Sequence, residues 1–238
     1  MRLADDTNAA TPASTLVVLA TRLVCGDMMA QCAAIAAKFK NGVTGMLTLI
    51  IGLVVFLGLH LLPTNVALRD GLRERFGVTT YKIAYSVASL IGLALIVYGY
   101  GKLQGMPSKN PMIWVPPVWT KHLLWALMLP ALILLVAANI PSRIRDIVGH
   151  PMLLATKIWA AGHLLANGTL AAMVLFGSFL AWAVIDLISA KKRRARGPLG
   201  ERTGTLGGDL AAISVGGALY LWLLYGGHAK LIGVALLR

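Results

Sequence analysis

The sequence predicts an all-α fold, a polytopic integral membrane helix bundle of about six transmembrane helices. Three observations support this prediction. The chain of 238 residues is 58% hydrophobic and only 13% charged, whereas a soluble domain carries about 25% charged residues. Its apolar residues fall into runs of roughly 20, the length at which a helix crosses the hydrocarbon core. The basic residues lie mainly in the short segments between these runs.

Six apolar segments follow one another along the second part of the chain. They cover residues 46–63, 81–100, 122–140, 150–167, 169–190 and 210–226. The first segment also admits a continuation through residues 66–68. Pro130 predicts a kink in the third, because proline removes a helix hydrogen bond. The fourth is short for a spanning helix, and only Asn167 and Gly168 separate it from the fifth, so we expect a tight hairpin there.

The basic residues predict the orientation of this bundle. The side where segments one, three and five end carries twelve lysines and arginines, against five on the other side, leaving the first 45 residues aside. By the positive-inside rule the richer side faces the cytoplasm. Topology and contact with anionic lipid therefore explain the net charge of +13. We expect a lipid bilayer as the partner of these charges and no nucleic acid.

Residues 1–45 differ in composition from the membrane domain at 46–238. Their apolar stretch is interrupted by Arg22, Asp27 and Gln31, and it lacks the basic-then-apolar order of a signal peptide. One interpretation is that translation starts at Met46 and that residues 1–45 are an extension with little order. The other is an amphipathic helix on the membrane surface. The abrupt change at Met46 favours the first interpretation, which mass spectrometry of the N-terminal peptide would test.

The fourth segment carries more polar residues than membrane packing explains. In hydrocarbon each polar group costs several kcal/mol unless it finds a partner. Helix geometry places Thr156, Trp159, His163 and Asn167 on one face, and we expect that face to point into the bundle. His150 lies about 20 Å away along the axis, so a straight helix cannot offer both histidines to one group.

All five histidines of the chain lie in or at the ends of apolar segments. They are His60, His122, His150, His163 and His228. A single one is explained by anchoring at the interface, but five together favour a prosthetic group or a proton relay. Haem suits such a site because imidazole binds its iron and its macrocycle is apolar.

Asp186, at the cytoplasmic end of the fifth segment, has two competing interpretations. It pairs with His150 or accepts a hydrogen bond from a ligand histidine, or it forms an ion pair with Lys191 or Arg193. Hydrolytic and nucleotide-driven chemistry find no support, because the chain has no Ser-His-Asp order, phosphate-binding glycine loop or paired carboxylates. Cys25 and Cys32 form no CxxC pair, so we expect no thiolate metal site.

Several motifs of the membrane domain resemble those of the NnrU family of bacterial membrane proteins. The matching stretches are Gly58-Leu-His60, Tyr81-Lys-Ile-Ala-Tyr85, Trp114-Val-Pro-Pro-Val-Trp119, His150-Pro151-Met-Leu and Trp159-Ala-Ala-Gly-His163-Leu-Leu-Ala-Asn-Gly168. The resemblance implies a multi-pass protein of the bacterial inner membrane. It also implies a link to denitrification, with a nitrite or nitric oxide reductase system as partner.

The family is in turn similar to the cis-zeta-carotene isomerase of plants and cyanobacteria, a membrane protein with haem b held by histidine. By this resemblance the metal ligands fall on His60 and His163, and haem b is the expected cofactor. Trp159, Asn167, His150 and Asp186 are then candidates for contact with the cofactor or its ligands. Where the isomerase has a cysteine shortly before its second ligand, this chain has Ala160.

The sequence is compatible with three functions. The leading hypothesis is a haem b protein that supports nitrite or nitric oxide reduction. The second is a haem-dependent cis-trans isomerase acting on a carotenoid-like polyene, an apolar small molecule. The third is a non-catalytic membrane scaffold or assembly factor, in which the histidines are interfacial.

Overall fold

A computed structural model describes residues 44–195, 197 and 199–237, and this part of the chain is built from helices. The structure is 80% helical and has no strands in that part, which confirms the all-α prediction. The helices are α1 (Thr44–Thr64), α2 (Val66–Phe76), α3 (Val78–Gln104), α4 (Trp119–Ala137), α5 (Arg143–Val148), α6 (Pro151–Ala166), α7 (Leu170–Lys192), α8 (Leu206–Trp222) and α9 (His228–Ile232). Apart from residues 44 and 45, the predicted extension at 1–45 lies outside the described residues.

Five helices are long and apolar enough to cross a membrane: α1, α3, α4, α7 and the run Leu206–Ile232 that joins α8 to α9. They leave large apolar side chains exposed on their outer faces, among them Val54, Leu90 and Leu210, and a bilayer covers such faces. The fourth predicted segment, 150–167, becomes α6, which has 16 residues and is about 24 Å long. It packs between α4 and α7 inside the bundle.

The continuation of the first segment through residues 66–68 is wrong. The chain ends α1 in a 3-10 turn with Pro63 at its start, and Asn65 then takes an extended conformation. The Asn65 side chain accepts a hydrogen bond from the Leu68 amide and so caps the separate helix α2. Helix α2 is polar, with Arg69 and Arg73 flanking Asp70. The first span therefore stops at the membrane boundary.

Helices α1 and α3 approach each other through glycines spaced seven residues apart. A Cβ added at Gly52 would lie 2.7 Å from the Ile96 amide nitrogen, and one added at Gly99 would lie 2.5 Å from the Leu49 amide nitrogen. Gly92 in turn faces the backbone of Phe56. Small residues of this kind let membrane helices pack backbone to backbone. The contact holds α1 in place beside the core formed by α3, α6 and α7.

Helices α6 and α7 form the tight hairpin that the short link at Asn167 and Gly168 predicted. The loop between α3 and α4 closes over this hairpin. The Ile113 amide donates to the Gly168 carbonyl at 2.7 Å. The Asn110 side chain is buried and its Oδ1 accepts from the Ala171 amide at 2.8 Å. This bond satisfies one of the free amides in the first turn of α7.

Replacement of Asn110 by alanine is expected to lower the free energy of unfolding by about 1–3 kcal/mol, because it leaves the buried Ala171 amide without an acceptor. Thermal or denaturant unfolding of the purified protein measures this loss. Asn139→Ala is the matched control, because its side chain is exposed and donates to the carbonyl of Leu135, four residues earlier. Equal stability of the two variants would contradict the capping role.

At the other end of the bundle, the chain after α7 is tied to α5. Asp146 Oδ2 accepts from the Gly204 amide at 2.7 Å, and the Arg145 guanidinium donates to Asp146 and to the Arg202 carbonyl. Ser142 and Thr205 form an isolated β-bridge beside these contacts. The ends of α1, α4 and α7 lie on this side, together with the start of α6. We call it the basic side, and the side of the α3–α4 loop the opposite side.

The tie between Asp146 and Gly204 is expected to weaken in acid. The hydrogen bond from the Gly204 amide, and then the Arg145 guanidinium, lower the pKa of Asp146 below its usual 3.8. A carboxyl with a lowered pKa stabilises the fold fully above its unfolded pKa, and this stabilisation is lost as the pH falls through the folded pKa.

Hydrogen exchange measures this effect at the Gly204 amide. Its protection, corrected for the intrinsic pH dependence, should fall when the pH is lowered from 7 to about 3. In Asp146→Asn the protection should be low at both pH values. A wild-type amide equally protected at both would contradict this role of the ionised carboxylate.

Candidate functional site

His60 lies on α1 near the basic side, inside a cage of aromatic rings. Its Nδ1 is 2.7 Å from the Phe56 carbonyl oxygen. Because a carbonyl only accepts, Nδ1 carries the proton and Nε2 keeps a free lone pair. The ring stacks on Phe56 at 4.2 Å between centroids, and Trp182 and Tyr85 approach it at 5.8 and 5.6 Å.

His163 on α6 repeats this arrangement nearer the opposite side. Its Nδ1 is 2.8 Å from the Trp159 carbonyl oxygen, one turn earlier, so its Nε2 is likewise free to accept a bond. The ring stacks on Phe176 at 4.6 Å and contacts the Trp159 ring at 5.3 Å. The two histidines thus share one local geometry on two different helices.

A layer of three rings lies between the two histidines. Phe179 on α7 contacts Phe56 at 5.8 Å and Trp159 at 5.4 Å. Together these residues and their neighbours form what we call the aromatic cluster: Phe56, His60, Tyr85, Trp159, His163, Phe176, Phe179 and Trp182. Four helices, α1, α3, α6 and α7, contribute to it. The cluster brings His60 and His163 into one continuous site.

The two imidazoles occupy different depths within the cluster. His163 packs on Phe176 and His60 on Trp182, and the step between these α7 residues is about 9 Å. The order of the ring contacts shows that α1 runs parallel to α7 and that α6 runs antiparallel to it. Since each imidazole bonds to the carbonyl one turn earlier, the two rings lean toward the Phe179 layer from opposite sides.

Polar atoms without partners accompany the aromatic cluster. Among the described residues, the buried atoms that lack a hydrogen-bond partner include Ser89 Oγ, Trp182 Nε1 and Asp186 Oδ1. Trp182 contacts the His60 ring, Asp186 lies one turn further along α7, and Ser89 lies one turn beyond Tyr85 on α3. Buried polar atoms normally find a partner, so such a group indicates a missing ligand or water.

Asp186 follows the second of its two predicted interpretations. Its Oδ1 lies 3.6 Å from Arg193 Nη2, an ion pair without a hydrogen bond. Among the described residues, no hydrogen bond joins the Asp186 carboxylate to His150 or His60, the two histidines near the basic side.

The predicted polar face of α6 is only partly realised. Trp159 joins the aromatic cluster, as the spacing predicted. The Asn167 amide instead donates to the His163 backbone carbonyl at 2.9 Å, and the Thr156 hydroxyl is 3.0 Å from the Met152 carbonyl oxygen. Neither side chain bonds to an imidazole. His150 precedes the first turn of α6 and lines a pocket on the basic side.

The structure also places His228, one of the five histidines of the chain, for which the sequence predicted no individual role. His228 lies close enough to His163 for the two to interact electrostatically. It follows a π-helical turn, Leu223–Gly227, in which Gly226 has φ of 148°, a conformation that side-chain-bearing residues rarely adopt. The Gly226-Gly227 pair before His228 was the sequence signal, since π turns often mark functional sites.

Comparison with known protein families shows to which family this chain belongs. The NnrU protein family matches residues 48–236. The chain belongs to the NnrU family. No curated protein and no solved structure matches it. The match covers α2 to α9 and most of α1, so it includes both histidines of this NnrU protein's aromatic cluster.

Metal binding by this NnrU protein would require a group that brings most of its own ligands. Among the described residues, no three His, Cys, Asp or Glu side chains are grouped so that they could hold a metal ion alone. Haem needs only axial ligands from the protein, because its porphyrin supplies the others. His60 and His163 fit that need individually, since each has a fixed ring and a free Nε2.

Proposed function

We propose that this NnrU protein is a haem b-binding protein of the bacterial inner membrane that supports nitrite or nitric oxide reduction, in which His60 and His163 would hold the haem. One observation carries the proposal. Two half-buried histidines, on different helices of one aromatic cluster, each fix Nδ1 on a backbone carbonyl and leave Nε2 free. A ligand histidine commonly donates its other ring N–H to a carbonyl or carboxylate, which sets its tautomer and orientation.

The surroundings of the two histidines suit a flat apolar macrocycle with an anionic edge. The rings of Phe56, Phe179 and Trp159 offer aromatic contact between the histidines. Trp182 Nε1 and Ser89 Oγ are donors for which the described part of the chain offers no acceptor, and the propionates of haem are acceptors. Arg193, 3.6 Å from Asp186, contributes positive charge near the basic side. We propose that this side faces the cytoplasm, in accord with the positive-inside rule.

Bound haem would supply a one-electron redox centre and an iron to which nitric oxide can bind. The protein's own contribution follows from its side chains. The carbonyls of Phe56 and Trp159 orient the imidazoles, and the aromatic rings keep water away from them. Ion pairing with Arg193 reduces the cost of burying the Asp186 carboxylate.

The absorption spectrum of the full-length protein, purified in mild detergent, tests the proposal. We expect a Soret band, and a pyridine haemochrome spectrum that identifies haem b. Addition of nitric oxide to the reduced protein should shift the band. A colourless preparation that stays spectrally silent after incubation with haemin would overturn the proposal and favour a non-catalytic scaffold or assembly factor.

A second candidate function, isomerisation of a carotenoid-like polyene with the same haem, is favoured by an apolar groove. The groove has a volume of about 340 Å³ and lies between α1, α2 and α3. It includes Tyr85, which contacts the His60 ring, so an apolar chain in the groove would end near that histidine. Conversion of a cis-carotene by the haem-loaded protein, without a response to nitric oxide, would favour this candidate over the first.

A further inference from the structure

The basic side contains a pocket that is separate from the aromatic cluster. It has a volume of about 490 Å³, within the range of about 300–1,000 Å³ typical of small-molecule sites. The start of α6, the end of α7, helix α5 and the chain before α8 surround it. Its charged and titratable lining residues are Arg145, Asp146, His150, Lys191, Arg194, Glu201 and Arg202. We call this cavity the basic pocket.

The charges of the basic pocket favour an anion. Four lysine and arginine side chains line it, against two carboxylates. One of these, Asp146, is already engaged, because it accepts hydrogen bonds from Gly204 and Arg145. The lining thus has an excess of positive charge.

Arg145 provides a second and independent indication of a ligand. The residue is only 8% exposed. Its Nε and Nη2 donate to Asp146, and Nη2 also donates to the Arg202 carbonyl. Its Nη1 is buried and has no hydrogen-bond partner among the described residues. A buried guanidinium donor without an acceptor is costly, and an oxyanion in the pocket would remove that cost.

The depth of the basic pocket indicates the source of such an anion. The pocket lies where α7 ends at Lys192 and α6 begins at Pro151, at the boundary between hydrocarbon and water. Phosphates of lipid headgroups occupy this depth, and basic pockets between membrane helices bind anionic headgroups. Guanidinium groups suit them because they bond phosphate oxygens bidentately.

We propose that the basic pocket binds a phosphate group, supplied by an anionic phospholipid of the leaflet on the basic side. Arg145 holds the phosphate from the buried end of the pocket, and Lys191, Arg194 and Arg202 surround it from the rim. The proposal is independent of haem and of the aromatic cluster.

Lipid binding by the full-length protein tests the proposal. The protein, in phosphatidylcholine nanodiscs and in detergent, is titrated with phosphatidylglycerol, and bound lipid is followed by native mass spectrometry and by the thermal unfolding midpoint. The double variant Lys191→Gln/Arg194→Gln changes two exposed residues of the rim. It should lower the affinity about thirtyfold, the loss expected for two cations near the surface.

The double variant Lys82→Gln/Lys192→Gln is the matched control. It removes the same charge from exposed basic-side residues that do not line the basic pocket, and it should change the affinity by less than about threefold. A second arm adds inorganic phosphate. Competition by phosphate that depends on Lys191 and Arg194 would support the pocket as a site for free phosphate, and no competition would assign it to lipid. Equal losses in both double variants, or no binding by wild type, would overturn the proposal.

Discussion

His163→Ala is expected to reduce the haem content of the purified protein at least tenfold, measured as Soret absorbance per mole of protein. Loss of residues that merely support a metal ligand costs about 10- to 100-fold in affinity, and loss of the ligand itself costs at least as much. His60→Ala should act in the same direction. Any haem that remains in either variant should show a shifted Soret band, because one of the two histidines that would hold it has been removed.

The matched control for these variants is His122→Ala. His122 is exposed on α4 and contacts only the Trp125 ring among the described aromatic residues. It should retain the wild-type haem content and spectrum. His228→Ala tests the histidine that the fold brings near His163. If His163→Ala bound as much haem as His122→Ala, with an unchanged spectrum, the assignment of His163 as a ligand would be wrong.

Gly52→Leu should destabilise the protein by about 3 kcal/mol or more, at the upper end of the cost of overpacking a core. An added Cβ would meet the Ile96 amide nitrogen at 2.7 Å and the Gly92 carbonyl oxygen at 2.9 Å. Both atoms belong to the α3 backbone, which cannot turn away as a flexible side chain would. Helices α1 and α3 would have to separate, and the His60 ring would lose its contact with Tyr85.

Gly58→Leu is the control for this substitution, because Gly58 lies on the same helix and a Cβ there meets nothing within 4 Å. The two variants are compared by thermal unfolding in detergent. If Gly52→Leu unfolded at the same temperature as Gly58→Leu, the backbone contact between α1 and α3 would be disproved.

The sequence predicted most of the properties that depend on a single helix. Apolar run length located the spanning segments, because the cost of leaving a peptide group in hydrocarbon is local to each residue. The errors lie at boundaries. Residues 66–68 belong to a separate helix because the Asn65 side chain caps it, and α3 and the last span extend beyond the predicted segments 81–100 and 210–226.

The glycines show that the sequence alone does not specify which helix faces are in contact. Gly92, Gly162, Gly177, Gly216 and Gly217 lie in the apolar segments, where small residues let helices approach closely. The first two and Gly216 do so, whereas a Cβ at Gly177 or Gly217 meets nothing within 4 Å. Gly45, Gly52 and Gly99 also face a neighbouring helix. Gly45 and Gly52 are seven residues apart, as are Gly92 and Gly99, and this spacing was the available signal.

The candidate site was predicted in part. Resemblance identified His60 and His163, and helix spacing placed Trp159 beside His163. Phe56 and Phe176 stack on the two histidines and were not predicted. The sequence of an apolar run does not show which ring an aromatic residue will contact. The competing interpretations of Asp186 could be separated only by the 3.6 Å contact with Arg193.

The sequence by itself determined that this chain is a helical membrane bundle, where its apolar segments lie, and which side carries the positive charge. These properties depend on the transfer of single residues and short segments between water and lipid. Only the tertiary structure decided which helix faces meet. Contacts such as those of Phe179 with both Phe56 and Trp159 join residues far apart in the chain, and their geometry depends on how three helices pack at once.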